Sequence, residues 1–282
     1  MTVTQRTAPN QTLSASNGVT YAYRRFGNTI AAAPPVLFLQ HFRGNLDNWD
    51  PAFVDRVATQ REVILLDNVG VGASTGTVPS TIHEMAVGAL AFLDGLGLTL
   101  CDLIGFSLGG AIAQEIALIR PRQVRKIVLA ATAPEGGRGF HAWSGQELRA
   151  AMADPPEPED FLTLFYTSSK ESRAKGMASL RRVLAREEDR DAPTDLPTRD
   201  TQLLAINNLG IPDHNKLSKL AAITQHVLVA NGESDVMTPT ENSYLLAGHL
   251  PNASLLIYPN AGHGFLYQYP EEFADDVNRF LD

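Results

Sequence analysis

The chain has 282 residues, of which 44% are hydrophobic and 19% charged, with a formal net charge of −8. That composition supplies a sizeable core for one large domain or one domain carrying an insertion, and it excludes a disordered chain. The acidic balance argues against nucleic acid or an anionic membrane surface as a partner, and the lone cysteine, Cys101, excludes an internal disulfide framework.

Residues 1–17 are polar and lack the apolar core of a signal peptide, so a cytoplasmic protein is expected. Residues 12–28 read as a hairpin around Asn17-Gly18, a two-residue turn signal. Val36 to Leu39 is a buried strand, Trp49 to Thr59 a helix, Val63 to Asp67 a buried strand, and Thr81 to Leu96 a helix. The most apolar long window, Ala86 to Phe106, carries Asp94, Asp102 and several glycines, which fits helix, loop and strand rather than a membrane span. Cys101 falls in that strand and reads as a small buried hydrophobe. A strand follows at Val124 to Ala130. The alternation implies a mainly parallel sheet covered by helices on both faces, an α/β fold.

The rhythm breaks after Pro134. Residues 135–215 hold helix-like stretches (Gly145 to Met152, Glu159 to Tyr166, Glu171 to Glu188, Arg199 to Leu209) between Pro- and Asp-rich joints. This predicts a helical cap at 135–215 inserted into a core formed by 1–134 and 216–282, with a decorative insertion as the alternative to a lid. Strands return at His226 to Ala230 and Ala253 to Tyr258, with helices at Pro239 to Gly248 and Pro270 to Phe280.

The centre of the pattern is Gly105-Phe106-Ser107-Leu108-Gly109, between an apolar strand and an Ala- and Ile-rich helix. A serine at so tight a strand-to-helix corner takes a strained backbone, and only glycine fits two residues to either side. The corner holds the hydroxyl clear of the sheet and aims the Leu108 amide, at the positive end of a helix, toward charge formed beside the serine.

A serine hydroxyl is a weak nucleophile that needs a base during attack, and the imidazolium so formed needs a carboxylate behind it. In open parallel sheets, ligands bind beyond the carboxyl ends of the strands. The strand-end loops carry His41, Ser107, Asp235 and His263, and Ser107, Asp235 and His263 follow in the chain order expected for this architecture. The alternatives are a capping role for Asp235 and a surface loop for His263. His83, His141, His214, His226 and His249 have no motif around them. Asp67 leads into Gly70-x-Gly72 and reads as a structural hydrogen-bonding residue.

Jointly, the His41 region, Asp67-x-x-Gly70-x-Gly72-x-Ser74, Gly-Phe-Ser-Leu-Gly, and Gly-Glu-Ser-Asp with Gly-His resemble the α/β-hydrolase superfamily over residues 18–134 and about 220–282. The resemblance implies an eight-stranded, mostly parallel sheet with a helical cap. It also implies Ser107 as nucleophile, Asp235 as acid, His263 as base, and an acyl-enzyme. Members usually carry His-Gly-x after the third strand, and the amide past that glycine completes the oxyanion hole. Here the segment is Gln40-His41-Phe42-Arg43-Gly44. Matching by position gives the Arg43 amide as second donor beside Leu108, with the Phe42 amide left open. The Arg43 side chain either grips an anionic substrate or points to solvent or to Asp47 or Asp50.

A serine at the elbow sets the chain apart from the aspartate-nucleophile dehalogenases and epoxide hydrolases of this fold. It points to a serine hydrolase of a carboxylic ester or lactone of a small apolar substrate. A cofactor-free haloperoxidase or perhydrolase, a carbon–carbon bond hydrolase and a slowly hydrolysing ligand sensor stay open. Candidate pocket liners are Phe42, Arg43, Phe106, Trp143, Phe161, Phe165 and Tyr166, with Leu108 beside them. No cofactor and no metal is expected, and the partner is a small-molecule substrate, with a homodimer left open.

Overall fold

A computed structural model describes residues 3–29, 33–139 and 143–282. Its strands are β1 (Gln11–Ser14), β2 (Thr20–Gly27), β3 (Val36–Leu39), β4 (Glu62–Leu66), β5 (Cys101–Phe106), β6 (Val124–Ala130), β7 (His226–Gly232) and β8 (Ala253–Tyr258). They form one sheet in the order β1-β2-β4-β3-β5-β6-β7-β8. β1–β2 and β2–β4 pair antiparallel and every other pair is parallel. The chain runs from β3 outward to β4 on one side and resumes at β5 on the other. The carboxyl ends of β3 and β5 therefore face a crevice where strand order reverses, which is where ligands of open α/β sheets bind.

Helices α1 (Pro51–Ala58), α2 (Ile82–Gly95) and α3 (Leu108–Ile119) connect the first parallel strands. The sequence starts them physically. Asp50 caps α1 by accepting from the Ala52 amide at 3.0 Å, with Pro51 in the first turn, and Thr81 caps α2. Every residue of β3 and β5 is buried because the sheet is covered twice. Val36 and Phe38 face a core with Trp49, Phe53 and Phe273, while Leu37 and Leu39 face another with Leu90, Leu93 and Ile112.

Between β6 and β7 lie α4 (Gly145–Met152), α5 (Pro158–Phe165), α6 (Lys170–Val183), α7 (Leu196–Leu209) and α8 (His214–Leu217), with no strand among the described residues. Helix α4 has the predicted bounds. Helix α6 stops short of Glu188 because the chain beyond it turns onto the core: the Arg186 guanidinium donates to the carbonyls of Arg6 and Ala8 at 2.8 and 3.0 Å. The fold closes with α9 (Glu241–His249), α10 (Phe265–Gln268) and α11 (Pro270–Leu281).

The N-terminal hairpin forms, but its turn differs from the two-residue expectation. Gly18 N–H bonds to the Ala15 carbonyl and Ala15 N–H to the Val19 carbonyl, and only Gly18 has positive φ, at 80°. This is the three-residue loop in which a left-handed glycine forms a bulge. Among the described residues, no helix is long and apolar enough to cross a membrane.

Candidate active site

Ser107 joins β5 to α3 with φ 54° and ψ −116°, a conformation that an L-residue adopts only under strain. Close approach enforces the glycines around it. A Cβ on Gly105 would lie 2.4 Å from the Gly109 carbonyl oxygen, and one on Gly109 2.0 Å from that of Leu39. Gly110, which the motif does not include, is equally constrained, because its Cβ would fall on the Thr132 side chain. The Thr132 hydroxyl in turn donates to the Ser107 carbonyl at 2.7 Å.

His263 is fully buried and Asp235 nearly so, and His263 Nδ1 lies 2.8 Å from Asp235 Oδ2. The other carboxylate oxygen, Oδ1, accepts from the Met237 and Thr238 amides, each at 2.9 Å. An ionised carboxylate only accepts, so it places the ring proton on Nδ1 and leaves the Nε2 lone pair free. His263 Nε2 is buried and has no hydrogen-bond partner among the described residues. Its ring centroid is 5.1 Å from that of Phe106, the residue that precedes Ser107. The carboxylate and the imidazole are thus paired, and the imidazole packs on Phe106, the residue before Ser107, with its Nε2 unbonded. Catalytic hydrogen bonds often tighten only when substrate is bound.

In the segment after β3, Gly44 N–H closes a turn onto the His41 carbonyl at 2.9 Å, with Arg43 at φ 62°. The Arg43 amide, expected as the second oxyanion donor, is engaged by Gln202 Oε1 on α7 at 2.7 Å. The Phe42 and Leu108 amides make no other hydrogen bond among the described residues, and both residues line a small hollow with Ser107. The Gln40 side chain braces this turn: its Oε1 accepts from the His41 amide at 2.9 Å and its Nε2 donates to the Asn45 carbonyl at 3.3 Å.

The Arg43 side chain lines the larger of the two hollows described below and does not reach Asp47 or Asp50. The guanidinium donates to the Ala153 carbonyl at 2.8 Å and to Asp154 at 3.1 Å, both between α4 and α5. Asp47 and Asp50 instead engage Arg24 and Arg182, at 2.8 and 2.6 Å.

Two hollows lie in this region: Ser107 lines the smaller and His263 the larger. The smaller adds Trp143, Ile206 and Leu209 of the insertion, and Trp143 Nε1 donates to the Met237 carbonyl at 3.1 Å. The larger, about 320 Å³, is lined by His41, Phe161, Leu164, Phe165, Met237 and His263 among others. Phe106 and Tyr166, both predicted liners, border neither hollow. Phe106 is sealed under the imidazoles, and Tyr166 is buried where α5 ends, facing Asp50 and Arg182. A separate hollow of about 330 Å³ beside His83, Glu115 and Lys219 contains none of the predicted site residues.

Asp67 accepts from the Leu46 amide at 2.9 Å and the Ala73 amide at 3.3 Å, as its structural reading requires. Burial, and then the nearby Asp191 carboxylate, hold its pKa well above the ordinary carboxylate range. Burial raises the Cys101 thiol to about 12, so it stays protonated. His83 pairs with Glu115 at 2.7 Å, His249 Nδ1 meets the Leu245 carbonyl, His214 meets Arg138, and His226 is exposed at the start of β7. His141 lies outside the described residues.

With this geometry in place, comparison with known proteins is informative. The family model described as the alpha/beta hydrolase fold matches residues 34–270. The chain belongs to the α/β hydrolase family. A solved structure, the alpha/beta hydrolase fold protein from Chitinophaga pinensis, is 40% identical, with a TM-score of 0.92 and 99% of each chain covered. A protein of Caulobacter vibrioides that carries the provisional name carbamate hydrolase RutD is 28% identical over 92% of this chain and 94% of its own. The pimeloyl-[acyl-carrier protein] methyl ester esterase of Nitrosomonas europaea is 27% identical over 87% and 95%. This α/β hydrolase is therefore an enzyme with hydrolase relatives.

Sequence reasoning missed Met237, which borders both hollows, and Gln202, which occupies the Arg43 amide. Met237 lies two residues past Asp235, so the strand-end rule that selected Asp235 also reaches it. No sequence signal marks Gln202.

Proposed function

We propose that this hydrolase cleaves a carboxylic ester or lactone of a small, largely apolar substrate through an acyl-enzyme on Ser107. The observation that carries the reading is the free Nε2 of His263, whose Nδ1 is fixed by Asp235 at 2.8 Å and whose ring packs on Phe106, next to a serine held on a strained elbow. Its relatives that act on ester and carbamate bonds support the reading.

In this mechanism Ser107 Oγ attacks the substrate carbonyl while His263 Nε2 takes its proton. The Leu108 and Phe42 amides receive the oxyanion, and losing one such donor typically costs about 100- to 1,000-fold in rate. His263 then gives the proton to the leaving oxygen. Water, deprotonated by the same nitrogen, attacks the acyl-serine and frees the acid. The larger hollow, walled on one side by Phe161, Leu164 and Phe165 and lined also by Arg43, Asp160, Arg190 and Asp191, accepts a group of modest size whose apolar part meets the phenylalanines.

The test is a panel of esters, lactones and thioesters assayed with wild type and Ser107→Ala side by side. A burst of nitrophenol from p-nitrophenyl acetate followed by steady turnover is the expected result. Equal turnover by Ser107→Ala would remove the serine from the mechanism, and stoichiometric release without turnover would favour a sensor.

A further inference from the structure

His41 lies in the loop after β3, and it lines the larger hollow together with His263. Its ring centroid is 5.1 Å from Phe106 and 5.2 Å from Phe165, the same two rings that lie 5.1 and 5.3 Å from His263. His41 Nδ1 lies 2.7 Å from the carbonyl of Phe42. A carbonyl only accepts, so Nδ1 carries the proton and Nε2 is left as an acceptor. Nε2 has no partner among the described residues, yet it is not among the sealed polar atoms, so it is open to the hollow. Burial lowers the imidazole pKa to about 3, against the raising effect of the Phe42 carbonyl, and the neighbouring His263 lowers it further. The ring is therefore neutral at physiological pH and cannot bind a carboxylate as a cation.

We propose that His41 Nε2 is a substrate-binding acceptor, and that the preferred substrates carry an O–H or N–H donor near the scissile bond. This deepens the ester and lactone reading and rests on it. Phe42, Phe161, Leu164 and Phe165 supply apolar wall, and Asp160, Asp191, Arg43 and Arg190 also line the hollow, so the preference assigned to His41 is the part that His41→Phe removes. A substrate without a donor desolvates the acceptor and returns nothing, and such sites discriminate strongly against the analogue that lacks the group. Because His41 is joined to Phe42, the proposed oxyanion donor, the recognised group sits close to the reacting carbonyl.

The test uses the Ser107→Ala protein, so that binding is read without turnover, and follows amide shifts by NMR. The probes are ethyl propionate, ethyl lactate (hydroxyl on the acyl half) and ethylene glycol monopropionate (hydroxyl on the alcohol half). At least one hydroxylated ester is expected to bind about fivefold tighter than ethyl propionate, the worth of one net hydrogen bond. Adding His41→Phe is expected to erase that preference, and adding His41→Gln, which keeps an acceptor, to retain part of it. The proposal is overturned if neither hydroxylated ester binds better than ethyl propionate, or if the preference survives His41→Phe. Turnover of the same esters by the wild type separately tests the hydrolase reading, so the two failures are distinguishable.

Discussion

The backbone amide of Arg43 donates to the side-chain carbonyl of Gln202 at 2.7 Å, tying the loop after β3 to helix α7 of the insertion. The same arginine uses its guanidinium on Ala153 and Asp154, and its carbonyl accepts from the Thr194 hydroxyl at 3.0 Å. One strained residue thus latches the oxyanion loop to three parts of the insertion. Gln202 is 2% exposed, so Gln202→Leu leaves the Arg43 amide buried and unpaired. The expected loss is about 1–3 kcal/mol in urea denaturation. Arg43→Ala should also destabilise, and the double variant should lose less than the sum because both act on one latch. The Gln202 variant also probes the oxyanion assignment. If the Arg43 amide were the working donor, freeing it would raise kcat, whereas a Phe42 donor predicts unchanged or lower kcat.

Ser107 offers a test of strain that needs no substrate. At φ 54° and ψ −116° the residue occupies a region that glycine tolerates and alanine does not. Ser107→Gly should therefore be more stable than Ser107→Ala by about 1 kcal/mol, and both should lose ester turnover. Denaturant midpoints of the two variants decide it. Equal midpoints would mean that the elbow stores no strain at this position.

The fold was legible because it rests on signals of short range and high contrast. Val36 to Leu39, Val124 to Ala130 and Ala253 to Tyr258 are strands with the predicted bounds, since short runs rich in apolar residues between turn signals mark strands. The pairing of Asp235 with His263 was legible because each follows the end of a neighbouring parallel strand, and Ser107 follows the end of another. That the Arg43 amide is occupied was not legible, because its partner Gln202 is remote in the chain. Gln202 sits in α7, a helix with little apolar stripe, and its partner lies 159 residues away. Neighbouring residues at the end of α5 diverge as well. Phe165 lines the larger hollow and Tyr166 packs behind it, a division that helical periodicity does not resolve at a terminus.

The His41 environment sets a sign for acid stability. Its folded pKa, about 3, lies below the ordinary 6.5, so the folded state declines a proton that the unfolded chain takes up. The contribution is complete above about pH 6.5 and is lost as pH falls from there toward 3. The slope from one such group is at most about 1.4 kcal/mol per pH unit. His41→Gln should flatten this limb of the stability–pH curve measured by urea denaturation. A limb of unchanged steepness would show that the ring takes up its proton in the folded state.

Asp235→Asn tests the orientation of His263 more sharply than removal of the carboxylate would. Oδ1 of Asp235 is held by two donors, the Met237 and Thr238 amides, so an asparagine will turn its carbonyl oxygen toward them. Its NH2 group then faces His263 Nδ1, which must become the acceptor, and the ring proton moves to Nε2. The nitrogen meant to receive the serine proton is already protonated. Loss of kcat should be roughly 10,000-fold, as when a triad carries the wrong tautomer, with little change in fold. Because the defect is a misplaced proton, NMR of the imidazole nitrogens should show the tautomer reversed relative to wild type. An Asp235→Asn enzyme that keeps near-normal kcat and the Nδ1-protonated ring would mean that another group orients His263.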